Sequence, residues 1–346
     1  MIIWSIIILL LVLTLPFFVK RVEEELEIFF FIMGIAAVSF TGQWSSDLIK
    51  QALAEPVKIT AAVFIAGVLF KALQKSIAKN INKILDKIGI KLFAFFLVAG
   101  LGLASSVITV IVAALILVEI ISHLKLDKKD ETRLVVLSCF SMGIGSALTP
   151  IGEPLATIIT SKLQGQPYHA GFWFLFKNMW FYIIPCILFL AGLAVKMTEK
   201  SSKSSGGLKE SREEEINDIF IRTGKIYLFI VSLVFLGTGF KPVIDNYISK
   251  IPYYFIYWIN LVSAILNNST LAAAEIGPSM SLNQVIAATL ALITAGGMLV
   301  SGNIPNIIAA NKLKIRNKDW AMLGVPLGLG IMVVYFIVIL SQTGQR

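Results

Sequence analysis

Long apolar runs follow one another along the chain, separated by short segments that carry most of the lysines and arginines. The runs are continuous rather than alternating in twos, so they predict helices and not the strands of a barrel. Spans of a length suited to about 30 Å of hydrocarbon fall at 2–19, 26–41, 57–74 and 218–240, with 170–195 and 319–340 closing two halves. Residues 75–91 repeat Ile and Leu at helical spacing between Lys75, Lys79, Lys83 and Lys87, a pattern that predicts a surface helix at the membrane interface.

Two runs do not fit a single crossing. Residues 92–122 and 251–282 would each measure about 45 Å as one helix, too long even with tilt. Each is interrupted by polar residues near its middle, Ser105-Ser106 in the first and "NNST" (Asn267 to Thr270) in the second. Both therefore predict re-entrant hairpins. With hairpins that return to their own side, 23 of the 30 Lys and Arg face one way. This is the asymmetry the positive-inside rule requires. The first hairpin then enters from the cytoplasm and the second from outside, with both termini outside.

Composition agrees with the pattern. The 346 residues are 57% hydrophobic and 15% charged, which defines an all-α polytopic membrane protein in contact with lipid. The net charge of +9 belongs to the loops, where it sets topology and attracts anionic lipid rather than nucleic acid. Cys139 and Cys186 lie inside apolar runs and suggest neither a disulfide framework nor a metal site. The first run lacks a basic segment before it and has Lys20-Arg21 after it, as a retained span does.

The chain thus divides into N-terminal scaffold helices (1–56), a first half (57–196), a polar linker (197–217) and a second half (218–341). Within the halves, "IGEPLATIITSKL" (151–163) aligns with "SGNIPNIIAANKL" (301–313) at a constant offset of 150. Each segment follows a hairpin, is broken by Gly and Pro, and precedes one long span. The broken helices are expected over 134–163 and 284–313. Two inverted repeats, each with a hairpin and a broken helix, are the architecture of secondary transporters with a site at the midplane.

Unwound backbone within a membrane is tolerated only where it lines a cavity or is packed in protein. Its freed carbonyls, with hydroxyls and amides, can replace the hydration shell of a sodium ion. One candidate site draws on Ser105, Ser106, Thr109, Ser146 and Thr149. Its symmetry mate draws on Asn267, Asn268, Ser269, Thr270, Ser301, Gly302 and Asn303. The same residue types also cap helix ends, and for Ser105-Ser106 capping or helix packing stands beside ion contact. Glu153 and Glu275 lie within a few residues of a break. An acid buried in a membrane is costly enough to be a functional candidate by default, and the bland alternative is a neutral glutamate held by freed backbone amides.

"GIGSALTPIGEP", "LNNSTLAAAEIGPSM" and "VSGNIPNIIAANKL" together resemble the ion-transporter superfamily. The chain is most similar to its branch of predicted prokaryotic cation transporters, related to D-type sodium/proton antiporters. The resemblance covers about 57–341. It implies a homodimer in the prokaryotic inner membrane, an elevator-type movement, and Glu153 in the "TPIGE" segment standing where the antiporters carry their acid.

The leading expectation is a sodium/proton antiporter with Glu153 and Glu275 as its proton- or cation-carrying acids. Burial favours the neutral acid and a bound cation favours the carboxylate, so proton and cation compete. The alternative is a sodium-coupled carrier of a small anion such as a dicarboxylate or oxyanion, for which helix N-termini in the cavity would be suited. An enzyme is not expected, because neither H-E-x-x-H nor G-x-S-x-G occurs and no histidine neighbours a buried acid. No cofactor is implied beyond the transported sodium ion and proton.

Overall fold

The structure is a computed structural model that describes residues 2–19, 21–22, 25–124, 126–197, 216–265 and 268–343. The linker core at 198–215 and Asn267 lie outside the described residues. Among those described there are helices and turns and no strand. Thirteen α-helices are described: α1 (Ile2–Phe18), α2 (Leu26–Thr41), α3 (Ser46–Ile108), α4 (Val110–His123), α5 (Lys128–Ser146) and α6 (Pro154–Lys162) come first. They are followed by α7 (Phe174–Met197), α8 (Ile216–Asn246), α9 (Tyr253–Ile259), α10 (Asn268–Glu275), α11 (Leu282–Gly296), α12 (Ile304–Leu313) and α13 (Asn317–Thr343).

Among the described residues, four stretches are long and apolar enough to cross a membrane: Lys87–Ile108, Phe174–Met197, Ile219–Asn246 and Asn317–Gln342. Shorter apolar helices accompany them, including Glu27–Thr41 and Val110–Ser122.

Helix α3 departs from expectation. The span at 57–74 and the interfacial helix at 75–91 form one continuous helix that changes course only at Gly89, where φ is 74°. Nothing between Phe70 and Gly89 removes an amide donor or demands positive φ, so the helix propagates until a residue without Cβ allows the turn. Beyond Gly89 the helix runs on as the first arm of the 92–122 region.

That region breaks at Thr109, not at Ser105-Ser106. Both serines stay helical because each hydroxyl bonds back to a carbonyl three residues earlier, Ser105 Oγ to Gly102 O at 2.7 Å and Ser106 Oγ to Leu103 O at 2.7 Å. Such local bonding satisfies a buried serine without unwinding the helix. Thr109 takes φ 70° and ψ 147°, a region that strains a β-branched residue. Its hydroxyl caps α4 by accepting from Val112 N at 3.4 Å. In the 251–282 region, α9 passes through a 3-10 turn (Asn260–Ala264) and the chain resumes as α10.

Helices α5 and α11 form the centre. From Leu134 to Ser146 every residue of α5 is buried, and α11 is buried almost throughout. Helix α4 packs on α12 and α10 packs on α6, so the second arm of each interrupted region meets the short helix of the other half. Helices α1 and α2 pack on α8.

Candidate functional site

Both central helices end in a break. Residues 147–153 separate α5 from α6, and residues 297–303 separate α11 from α12. In the first, a Cβ on Gly152 would lie 2.0 Å from Ser146 O; in the second, a Cβ on Gly302 would lie 2.5 Å from Gly296 O. The chain folds back onto the end of the helix it has just left, a path open only to glycine. Side chains from the following helices fasten each loop. Thr157 Oγ1 donates to Pro150 O at 2.6 Å, and Asn306 Nδ2 donates to Gly296 O and Leu299 O, both at 2.9 Å.

The interrupted regions reach these breaks in parallel ways. Ser105 Oγ donates to Met142 O at 3.0 Å, and Ser263 Oγ donates to Leu292 O at 3.3 Å. Met142 and Leu292 are 150 positions apart, as are Ser146 and Gly296, and Gly152 and Gly302. Val110 N donates to Gly152 O at 2.7 Å, and Thr149 Oγ1 donates to Ser106 O, tying the tip at Thr109 to the first break.

Glu153 is the last residue of its break and the N-cap of α6, with Pro154 in the first turn. Asn303 holds the equivalent position on α12, and the two share an extended backbone: φ −154°, ψ 162° for Glu153 and φ −148°, ψ 151° for Asn303. They differ in what their side chains do. Asn303 caps its helix through Ile304 N at 2.8 Å, whereas the Glu153 carboxyl makes no capping bond.

The Glu153 carboxyl is 3% exposed as a residue and faces Ser146, Asn268 and Asn303. These neighbours stand close, yet Glu153 Oε1, Asn268 Nδ2 and Asn303 Nδ2 have no hydrogen-bond partner in the protein. A buried polar group left unpaired costs about 1–3 kcal/mol, so this cluster of neighbouring carboxyl and amide groups is a candidate site. Asn303 Nδ2 also lies against Gly143 of α5, where a Cβ would approach it to 2.7 Å.

A cavity of about 110 Å³ opens beside the carboxyl. Thr109, Gly152, Glu153 and Ser269 line one side, and Phe229 and Ile230 of α8 with Glu27 of α2 line the other. Its volume exceeds the roughly 30 Å³ that one water occupies in the liquid, enough for a partly hydrated small ion.

The remaining candidates divide. Ser146 and Asn268 join the Glu153 cluster, and Ser269 donates to Asn268 Oδ1 at 3.2 Å. Ser105 and Ser106 are spent on backbone carbonyls away from the cavity lining. Gly302 acts sterically, Ser301 is exposed, and Thr270 is placed on α10 by its backbone. Glu275 sits at the other end of α10 from Asn268, about 10 Å along the helix, and accepts from Asn260 Nδ2 at 2.7 Å. The two acids thus occupy separate polar places.

Two residues that sequence reasoning passed over belong to these places. Lys162, at the end of α6, donates to Ala273 O and, at 3.1 Å, to Ile276 O, and lies close enough to Glu275 for their charges to interact. Its pairing with Lys312 in the sequence alignment gave no hint of this reach across the halves, for Lys312 is exposed. Glu27 is the other. Among the described residues no three His, Cys, Asp or Glu side chains gather to hold a metal.

The chain belongs to the family described as "Protein of unknown function (DUF1646)", whose profile matches residues 2–341. No curated protein matches it in sequence.

Proposed function

We propose that this chain is a membrane-embedded secondary transporter of cations, a sodium/proton antiporter that works by alternating access. The observation that carries the reading is Glu153: a buried carboxyl with an unpaired oxygen, placed at a helix break and opening onto a cavity. A group of this kind can hold a proton or a cation, and each disfavours the other. Coupling then follows from one site with two exclusive occupants.

Several relationships support the two-fold organisation behind such a carrier. The order of elements from α3 to α7 recurs from α8 to α13. The contacts of Ser105 and Ser263 on α5 and α11, and of Gly152 and Gly302 on the ends of those helices, fall at positions 150 apart. We read the 92–122 and 251–282 regions as re-entrant hairpins of two inverted repeats, with the site where their tips meet the breaks. The resemblance to the ion-transporter superfamily adds a homodimer, an elevator-type movement and the prokaryotic inner membrane, with both termini outside.

Lys162 favours the second reading, a sodium-coupled carrier of a small anion, because it puts a cation near the breaks. Its ammonium is, however, already engaged by two carbonyls and neighboured by Glu275. Reconstituted protein challenged with a panel of cations and anions separates the two. Cation-driven proton flux supports the antiporter, and sodium-dependent anion uptake without proton flux reverses the order.

A further inference from the structure

The cavity beside Glu153 has a further wall, away from the breaks and the interrupted regions. Helices α2 and α8 supply it, and α2 contributes Glu27. Glu27 Oε2 is buried without a hydrogen bond. Lys225 of α8 stands 4.0 Å from that oxygen and 2.8 Å from Glu25 Oε2. Among the described residues two carboxylates thus share one ammonium. The almost fully buried Glu153, whose Oε1 has no hydrogen bond, lines the same cavity.

Position supports a role in passage. Glu27 lies in the first turn of α2 and Lys225 in the third turn of α8. Both helix ends follow basic or linker segments, 20–21 and 198–215, that the positive-inside rule assigns to the cytoplasm. On that topology the Glu27 wall lies toward the cytoplasmic ends of these helices.

Resting on the cation-carrier reading, we infer that Glu27 is a second cation-binding carboxylate on the path to Glu153, and that Lys225 is a tethered cation which an entering ion must displace from it. The ligand class is a small monovalent cation. A carboxylate on the wall of a mostly apolar cleft attracts such ions, while the tethered ammonium prevents the wall from holding them permanently.

The test uses the full-length protein and reads cation binding as well as transport. Thermal stability in detergent is followed against sodium chloride, with choline chloride keeping ionic strength equal, since a bound ligand stabilises the folded state. Everted vesicles give the half-saturating sodium concentration for proton release at the cytoplasmic face. Glu27→Gln should raise both midpoints about tenfold, Lys225→Met should lower them, and Lys225→Arg should restore the wild-type values. An ion pair that merely fastens α2 to α8 would move Glu27→Gln and Lys225→Met in the same direction. That outcome, or unchanged midpoints while Glu153→Gln loses its sodium response, overturns this inference alone. Absence of any sodium response in the wild-type protein overturns the cation-carrier reading and this inference with it.

Discussion

Glu153 and Asn303 stand 150 positions apart in the chain and meet in the structure, each the N-cap of a short helix after a break, with Asn303 among the polar side chains that face the Glu153 carboxyl. One half of the fold thus offers a carboxylate where the other offers an amide. In the proposed carrier the pair would supply charge from one side and neutral polarity from the other.

Asn303 has two separable tasks. Its Oδ1 caps α12 and its Nδ2 faces the site. Asn303→Ala should cost about 1 kcal/mol of stability through the lost cap and also weaken cation dependence. Asn303→Ser retains a capping hydroxyl, so thermal unfolding should stay near wild type while the half-saturating cation concentration still rises. Full recovery of both by serine would leave Asn303 a cap alone.

The breaks depend on the absence of a side chain. Gly152→Ala and Gly302→Ala would each drive a methyl into a backbone carbonyl, at 2.0 Å and 2.5 Å, and should destabilise by about 3 kcal/mol. Gly192→Ala on α7 meets nothing within 4 Å and should instead stabilise by about 0.5–1 kcal/mol. Thermal unfolding of the purified variants checks the contrast.

Hydroxyls near the site should differ in consequence. Ser105 is occupied by Gly102 O and Met142 O and does not line the cavity; Ser269 does line it. Ser105→Ala should therefore cost about 1 kcal/mol and leave the half-saturating cation concentration within about twofold, a change under 0.5 kcal/mol. Ser269→Ala should raise it further. Concentration series in vesicles distinguish them, and the reverse order would move the ion site toward Ser105.

Topology can be read by labelling. If the basic loops face the cytoplasm, single cysteines replacing Lys129 and Ser204 react with an impermeant reagent only from the cytoplasmic side, and one replacing Lys250 reacts from outside. Cys139 and Cys186 are buried and give little background. Labelling of Lys129 and Lys250 positions from the same side would contradict the inverted arrangement.

The breaks were legible in the sequence because Gly and Pro announce them chemically, and the place of Glu153 at the end of one, buried, followed from an acid beside Gly and Pro in an apolar run. The constant offset of 150 also carried real contacts, as Met142 and Leu292 demonstrate. The tip at Thr109 was not legible, since Ser105 and Ser106 look like helix breakers until their hydroxyls find carbonyls one turn back. Lys162 and Glu27 were hidden for another reason. Each acts on a partner far away in the chain, Lys162 on α10 and Glu27 across a cavity from α6, and local pattern does not report such juxtapositions.

Proton release from everted vesicles on addition of sodium, compared between the wild-type protein and Glu153→Gln, tests the proposed role of Glu153 most directly. Glutamine keeps the shape of the side chain and cannot exchange a proton, so the variant should fold with undiminished thermal stability and release none. Sodium-dependent proton release that persists in Glu153→Gln would contradict the assignment of Glu153 as the coupling acid.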